Sequence, residues 1–206
     1  MVQLREQWDI AERRIKKAEF VNANNVISSA IFELRYAGRK LIDANRLILE
    51  GGWKNNQEEK NRILAFLADA TEDCVKAKHD AIDAMMLFIA AWFERTEQKL
   101  GLSEIQKYFP TYTDITGKML SIQDKISASR GDRAILRDSI YDDIENNGYT
   151  EILSLYEKMR ISEPRVHSEV RTELRRRFIL VWGTVAGVVL AVAALAVSVV
   201  ALVMAS

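Results

Sequence analysis

Two histidines, one cysteine and one acidic triplet are the residues whose types could support chemistry: His79, His167, Cys74 and Asp142-Asp143-Glu145. A di-iron site in a helical protein needs Glu-x-x-His motifs on facing helices. Neither histidine stands three residues after a glutamate. His79-Asp80 is a pair found in metal phosphohydrolases, but such sites need several further histidines. Ribonucleases that set a histidine four to six residues after an arginine find no counterpart, because neither histidine has an arginine at that distance upstream. Cys74 lies in a run of alanines at helical spacing, which predicts a core thiol. The acidic triplet predicts a solvated helix face. We expect no enzyme, no cofactor and no metal.

A different chemistry is written near the end of the chain. Arg171, Arg175, Arg176 and Arg177 precede 27 consecutive positions, Phe178 to Met204, that carry no charge and are mostly Val, Ala and Leu. An uncharged run longer than about 18 residues predicts a transmembrane helix, because a helix satisfies its own backbone in hydrocarbon. At about 1.5 Å per residue the run extends for roughly 40 Å, against a hydrocarbon core of about 30 Å. Its first turn is therefore expected at headgroup level, with Trp182 as the interface residue. Gly183 to Met204, about 33 Å long, then fits the hydrocarbon with modest tilt. The arginines attract anionic headgroups and predict a cytoplasmic location for residues 1–177. With only Ala205 and Ser206 after the run, the expectation is a single-pass, tail-anchored protein inserted after synthesis, its C-terminus on the opposite side. No apolar run lies in residues 1–49, so no signal peptide is expected.

Within the run, Gly183, Gly187 and Ala191 recur every four residues. Helices in lipid associate through small residues at such spacing, so this face is expected to self-associate. The run contains no Asp, Glu, Lys, Arg or His, and ion coupling through it is not expected.

All charged residues precede Phe178, with 29 of each sign. A neutral domain lacks the positive field that phosphate binding needs, so no nucleic-acid partner is expected. A lone cysteine cannot form an intramolecular disulfide, which suits a reducing compartment. Two prolines and nine glycines in 206 residues favour helix almost throughout.

The elements that must position these residues follow from apolar spacing. Leu4, Trp8, Ala11, Ile15 and Ala18 predict a first helix over 3–21, broken at Asn22, Asn24 and Asn25. A second runs from about Asn25 to Glu50, with Ile27, Ala30 or Ile31, Leu34, Ala37 or Gly38, Leu41 and Ile48 inward and Gly51 as its left-handed cap. Gly38, costly within a helix, predicts a close crossing. The third, Gln57 to Leu100, carries two stripes: Ile63, Leu67, Ala70, Cys74, Ala77, Ala81, Ala84 and Phe88, and Val75, His79, Ile82, Met86, Ile89 and Phe93. Two apolar sides make it central. Ser103 and Gln106 predict a capping box before a short turn of helix. Tyr112 to Ile126 predicts a fourth helix, closed by Ser129-Arg130-Gly131-Asp132, and residues 135–144 a fifth. Tyr149 to Met159 predicts a short sixth. A final helix is expected to start at Ser162, with Pro164 in its first turn, and to run unbroken into the span.

The expectation is thus an all-α chain. It has a cytosolic antiparallel helical bundle with one long central helix over 1–161, a juxtamembrane basic helix over 162–177, and one transmembrane helix over 178–204. Its function would be self-assembly into a homo-oligomer, or binding of a protein partner, at membrane lipid. The alternative is a membrane-perturbing effector or toxin of a bacterial defence or toxin–antitoxin system, with the bundle as sensor.

Overall fold

The computed structural model describes the backbone of residues 2–129 and 134–204. Side chains are described as far as Thr184, except at 2, 134–136, 174, 177, 181 and 183. The described chain is helical: α1 (Val2–Val21), α2 (Ser28–Glu50), α3 (Gln57–Leu100), α4 (Leu102–Tyr108), α5 (Tyr112–Ser129), α6 (Ala134–Asn147) and α7 (Tyr149–Met204). The expected turn at Arg130-Gly131-Asp132 lies outside the described residues.

The first three helices form a stack held by small side chains. Ala30, Ala37 and Ala44 of α2 and Ala70, Cys74, Ala77 and Ala81 of α3 are at most 1% exposed. Ala11 and Ala18 of α1 are fully buried in the same core. Small residues let helix backbones approach closely, and close-packed interiors tolerate no added volume. The inward face of α2 differs slightly from the expected one. Ala44 and Leu47 are buried, Ile48 is half-buried and Ile31 is exposed. The far end closes on a small core of Ala44, Leu47 and Ile63 under Trp53 and Phe66. Trp53 also donates its indole N–H to the Ile48 carbonyl at 3.2 Å.

The helix ends follow local chemistry. Gly51 caps α2 in the left-handed conformation (φ 75°), as its sequence predicts. Asn56 caps α3 by accepting from the amides of Glu58 (3.0 Å) and Glu59 (3.4 Å). The start of α2 is three residues later than expected, because Ala23 and Asn24 take left-handed φ values of 54° and 62° and the turn occupies that length. The capping box expected at Ser103 and Gln106 does not form. Gly101 caps α4 without a side-chain bond, and Gln106 reaches Thr113 Oγ1 at 2.7 Å instead. Gly38 faces an indole: a Cβ there would lie 3.6 Å from the Trp8 ring, so α1 and α2 meet there through an aromatic side chain.

Direction follows from named pairs. Lys40 lies beside Asp73, and Leu47 beside Ile63, so α2 runs against α3. Tyr112 reaches Phe93 while Gln123 lies beside Asp83, so α5 also runs against α3. Tyr156 stacks edge-on against Trp92, and Lys107, beyond the end of α3, meets Glu173. Thus α7 runs with α3.

The main departure from the sequence expectation is α7. The short sixth helix and the final helix are one element of 56 residues with Pro164 inside it. Tyr149, Ile152, Tyr156, Met159, Val166 and Val170 are buried, and their seam keeps its register across the proline. Pro164 and Arg160 both face solvent. The carbonyl that loses its helical partner is therefore free to bond water, while burial on the opposite face holds the helix together. An interior proline costs about 3 kcal/mol, and each fully buried large apolar side chain contributes about 1.5–3 kcal/mol. The seam offsets the proline.

Two substitutions test this packing in the full-length chain. Pro164→Ala restores a backbone hydrogen bond and is expected to raise stability by about 1–3 kcal/mol in denaturant unfolding. A neutral or destabilising result would mean that the helix starts near Ser162 after all. Ala77→Leu forces volume into the small-residue layer and should lower stability by about 1–3 kcal/mol or more.

Candidate functional site

Two polar regions stand out against this apolar frame, one at the base of α7 and one midway along α3. At the first, the buried seam of α7 ends at Val170. Beyond it Arg171, Thr172, Arg175 and Arg176 are exposed, followed by exposed Phe178, Ile179, Leu180 and Trp182. Arg171 and Arg175 are one helical turn apart and share a face. Arg176 lies about 140° around the helix from Arg171 and lines a 550 Å³ groove with Tyr108, Glu169, Thr172 and Leu180. The three arginines therefore form a partial collar over about 140° of the helix surface. Phe178 and Trp182 lean together with ring centroids 5.9 Å apart.

The short α4 braces this end. Lys107 Nζ lies 3.0 Å from Glu173 Oε2, and Glu169 accepts from Arg165 Nε at 2.8 Å and from the Tyr108 hydroxyl. The hydrogen bonds from Arg165 and Tyr108 hold the Glu169 carboxyl below its usual range. His167 Nε2 lies 3.6 Å from Glu163 Oε1 one turn back.

Of the residues singled out from sequence here, Arg171, Arg175, Arg176 and Trp182 are brought to one end of the molecule, exposed. Arg177, Gly183, Gly187 and Ala191 lie outside the described side chains. Among the described residues no helix is long and apolar enough to cross a membrane, and the side chains of residues 185–204, the bulk of the uncharged run, lie outside the description.

The second region was legible only in part: the sequence sets His79 on an inward stripe of α3 but gives no sign of the buried Asp73 and Lys78. Asp73, Lys78 and His79 of α3 are buried at 4, 8 and 5% exposure. Lys40 of α2 pairs with Asp73 at 2.9 Å. Lys78 Nζ reaches Asp142 Oδ1 of α6 at 3.1 Å. The His79 imidazole stacks on Tyr141 of α6, with centroids 3.8 Å apart and planes within 14°. Its Nε2 lies 3.4 Å from Asp138 Oδ1, too long for a strong hydrogen bond. The Tyr141 hydroxyl donates to Asp83 Oδ1 at 2.6 Å. Further along, Arg14 of α1 forms an ion pair with Glu145 of α6 and donates to the Tyr149 hydroxyl at 2.7 Å. These contacts tie the α6–α7 corner to α3 and α1.

The acidic triplet stays largely solvated at Asp142 and Asp143, 59 and 45% exposed, but each of its carboxylates is paired. Asp142 goes to Lys78, Asp143 to Lys125 at 2.8 Å, and Glu145 to Arg14. The three carboxylates diverge to three helices. Among the described residues no three His, Cys, Asp or Glu side chains gather as a metal site would require. Burial, and then the Asp73 carboxylate, push the Cys74 thiol up to about 11, which leaves it protonated and unreactive near neutrality.

Burial is also the main force on His79. Together with the nearby Lys78 and Arg137 cations, and against Asp142, it lowers the imidazole to about 3. Burial likewise raises Asp138, which Lys78 and Arg137 partly oppose. The imidazole is neutral in the fold and serves as an aromatic surface for Tyr141.

No protein-family model, curated protein or solved structure matches this chain. What it does must be argued from its own residues.

A pH dependence follows from His79. Its folded value near 3 is below the unfolded value of about 6.5. Above pH 6.5 both states are neutral and the full stability is present. Below it only the unfolded chain takes up the proton. Stability should then fall as pH drops from about 6.5 toward 4, by about 1.4 kcal/mol per unit from this one group. His79→Phe keeps a ring against Tyr141 and removes the titration. Denaturant midpoints at pH 7 and pH 5 should differ clearly for the wild type and much less for the variant. An unchanged slope in His79→Phe would assign the effect elsewhere.

Proposed function

We propose that this chain is a non-enzymatic, single-pass membrane protein that holds a helical bundle at the cytoplasmic face of a bilayer. The bundle mediates self-assembly or binds a protein partner there. The observation that carries this reading is the continuity of α7. One helix begins in the bundle core at Tyr149, stays buried to Val170, emerges with an arginine collar and exposed Phe178, Ile179, Leu180 and Trp182, and continues to Met204. The sequence of its last part, uncharged from Phe178 on, has the length and composition of a span. Arginines immediately before the span favour a cytoplasmic bundle. An exposed Trp at the start of the span suits the headgroup layer, and the collar suits anionic lipid at about 1 kcal/mol per cation.

Self-assembly rests on Gly183, Gly187 and Ala191. Their spacing allows two spans to approach along one face.

Membrane attachment is tested by fractionation. The full-length chain should remain in membranes washed with alkaline carbonate, and a chain lacking residues 178–204 should not. Recovery of the full-length chain in the soluble fraction would reject the span. Assembly is tested separately by crosslinking in native membranes: a dimer in the wild type should weaken in Gly187→Leu. Monomer alone in both would remove the self-assembly half of the reading.

A further inference from the structure

One surface of the bundle is built to receive a helix. Between α3 and α5 lies a 740 Å³ groove whose floor is Phe93, Tyr112 and Met119, all buried. Its walls are Leu87, Leu102 and Leu120, large apolar side chains left 58, 42 and 59% exposed. It continues into a 270 Å³ cavity that shares Leu87 and Gln123 and adds Met86, Ile126 and Asp83. Along α3 the two cavities are lined from Asp83 to Gln98, about 22 Å of helix. That is the length of a helix of about four turns.

Its rim has one sign. Glu94 and Glu97 border it, and among the described residues no lysine or arginine lines either cavity. The lysines of α5 are turned away, Lys118 to Glu151 of α7 and Lys125 to Asp143 of α6. Glu97 is fixed by the Tyr112 hydroxyl at 3.1 Å, so one acidic group is held at the groove floor's edge. An acidic rim repels phosphate, which disfavours lipid headgroups and nucleic acid as occupants. An apolar channel of this length with an acidic border suits an amphipathic helix that carries leucine-like residues at i, i+3, i+4 and i+7, flanked by Lys or Arg.

We propose that the α3–α5 groove docks a basic amphipathic helix of another protein. This deepens the partner-binding half of the function proposed above and does not depend on the span. The test uses the full-length chain in neutral detergent and two labelled 18-residue peptides. They share a leucine ridge, and one carries lysines where the other carries glutamates. By fluorescence anisotropy the lysine peptide should bind at least about tenfold more tightly than the glutamate peptide at about 0.1 M salt, and the gap should narrow at about 1 M. Leu87→Ser with Leu120→Ser, which remove exposed walls and leave the core intact, should weaken the lysine peptide about tenfold or more. Glu94→Lys should shrink its preference over the glutamate peptide.

Equal binding of both peptides, or affinity indifferent to the leucine pair, would overturn the proposal. So would a dimer of the peptide-free chain that Leu120→Ser abolishes, since that assigns the groove to a second copy. Carbonate-resistant membrane attachment reports on the span alone, so failure of the groove and failure of the anchor are separately visible.

Discussion

Tyr156 is the point on which the packing of this molecule depends. Its ring meets Trp92 edge-on at 5.2 Å and Phe88 at 6.2 Å on α3. Its hydroxyl donates to the Val21 carbonyl at the end of α1, at 3.1 Å. One buried side chain of α7 thus satisfies the last turn of the first helix and fills the aromatic layer of the third. A buried tyrosine both supplies large apolar area and demands a partner for its hydroxyl. The two requirements fix α7 in translation and in rotation. From that anchor the seam runs back to Tyr149 and forward to Val170, which is why the helix passes Pro164 without a break.

The two halves of the bundle cohere by different physics. Between α1, α2 and α3 the contact is small and apolar, alanine on alanine, and tolerates little change of volume. Between α3 and the α6–α7 corner it is polar: Lys78 with Asp142, His79 on Tyr141, Tyr141 to Asp83. Buried charge costs desolvation and repays it only when paired in good geometry. Such an interface holds one register well and weakens sharply when one partner is lost or protonated. The acid sensitivity of His79 belongs to this seam between the halves, where a neutral imidazole is a condition of packing.

Much of this was legible in the sequence, and the failures have common causes. The bounds of α3, the left-handed cap at Gly51 and the alanine stripe through Cys74 follow from residue type and spacing alone. Pro164 was misjudged because local rules place proline in a first turn, and only the buried residues on both sides reveal the seam that overrides them. Nothing local marks Asp73 and Lys78 as buried charges, because their partners, Lys40 and Asp142, are 33 and 64 positions away. Asp142, Asp143 and Glu145 read as one solvated face; what the sequence hid is that their cations stand on three other helices. The groove was not read from the sequence: Leu87 and Leu120 fall outside the inward stripes, and only the fold sets these two exposed leucines on one channel. The arginine collar was legible, although its arrangement around the helix needed the neighbouring α4. Gly183, Gly187 and Ala191 remain a statement of sequence.

The collar also sets how the bundle and the last part of α7 can influence one another. Up to Val170 the helix is held by burial; after it, the described brace is Lys107 with Glu173, an exposed ion pair of the kind worth about 0–1 kcal/mol. From Arg171 to Phe178 the helix is supported mainly by its own backbone hydrogen bonds. A helix transmits rotation along its axis as long as those bonds hold, and no glycine or proline interrupts this stretch. Rotation of the bundle about α7 would therefore turn the arginines and whatever follows them together. The same exposed stretch leaves Arg171, Arg175 and Arg176 outside the packed core while the seam behind them stays fixed. At the bilayer proposed above, this stiff backbone with exposed cations would let the bundle keep its shape while the lipids around it rearrange.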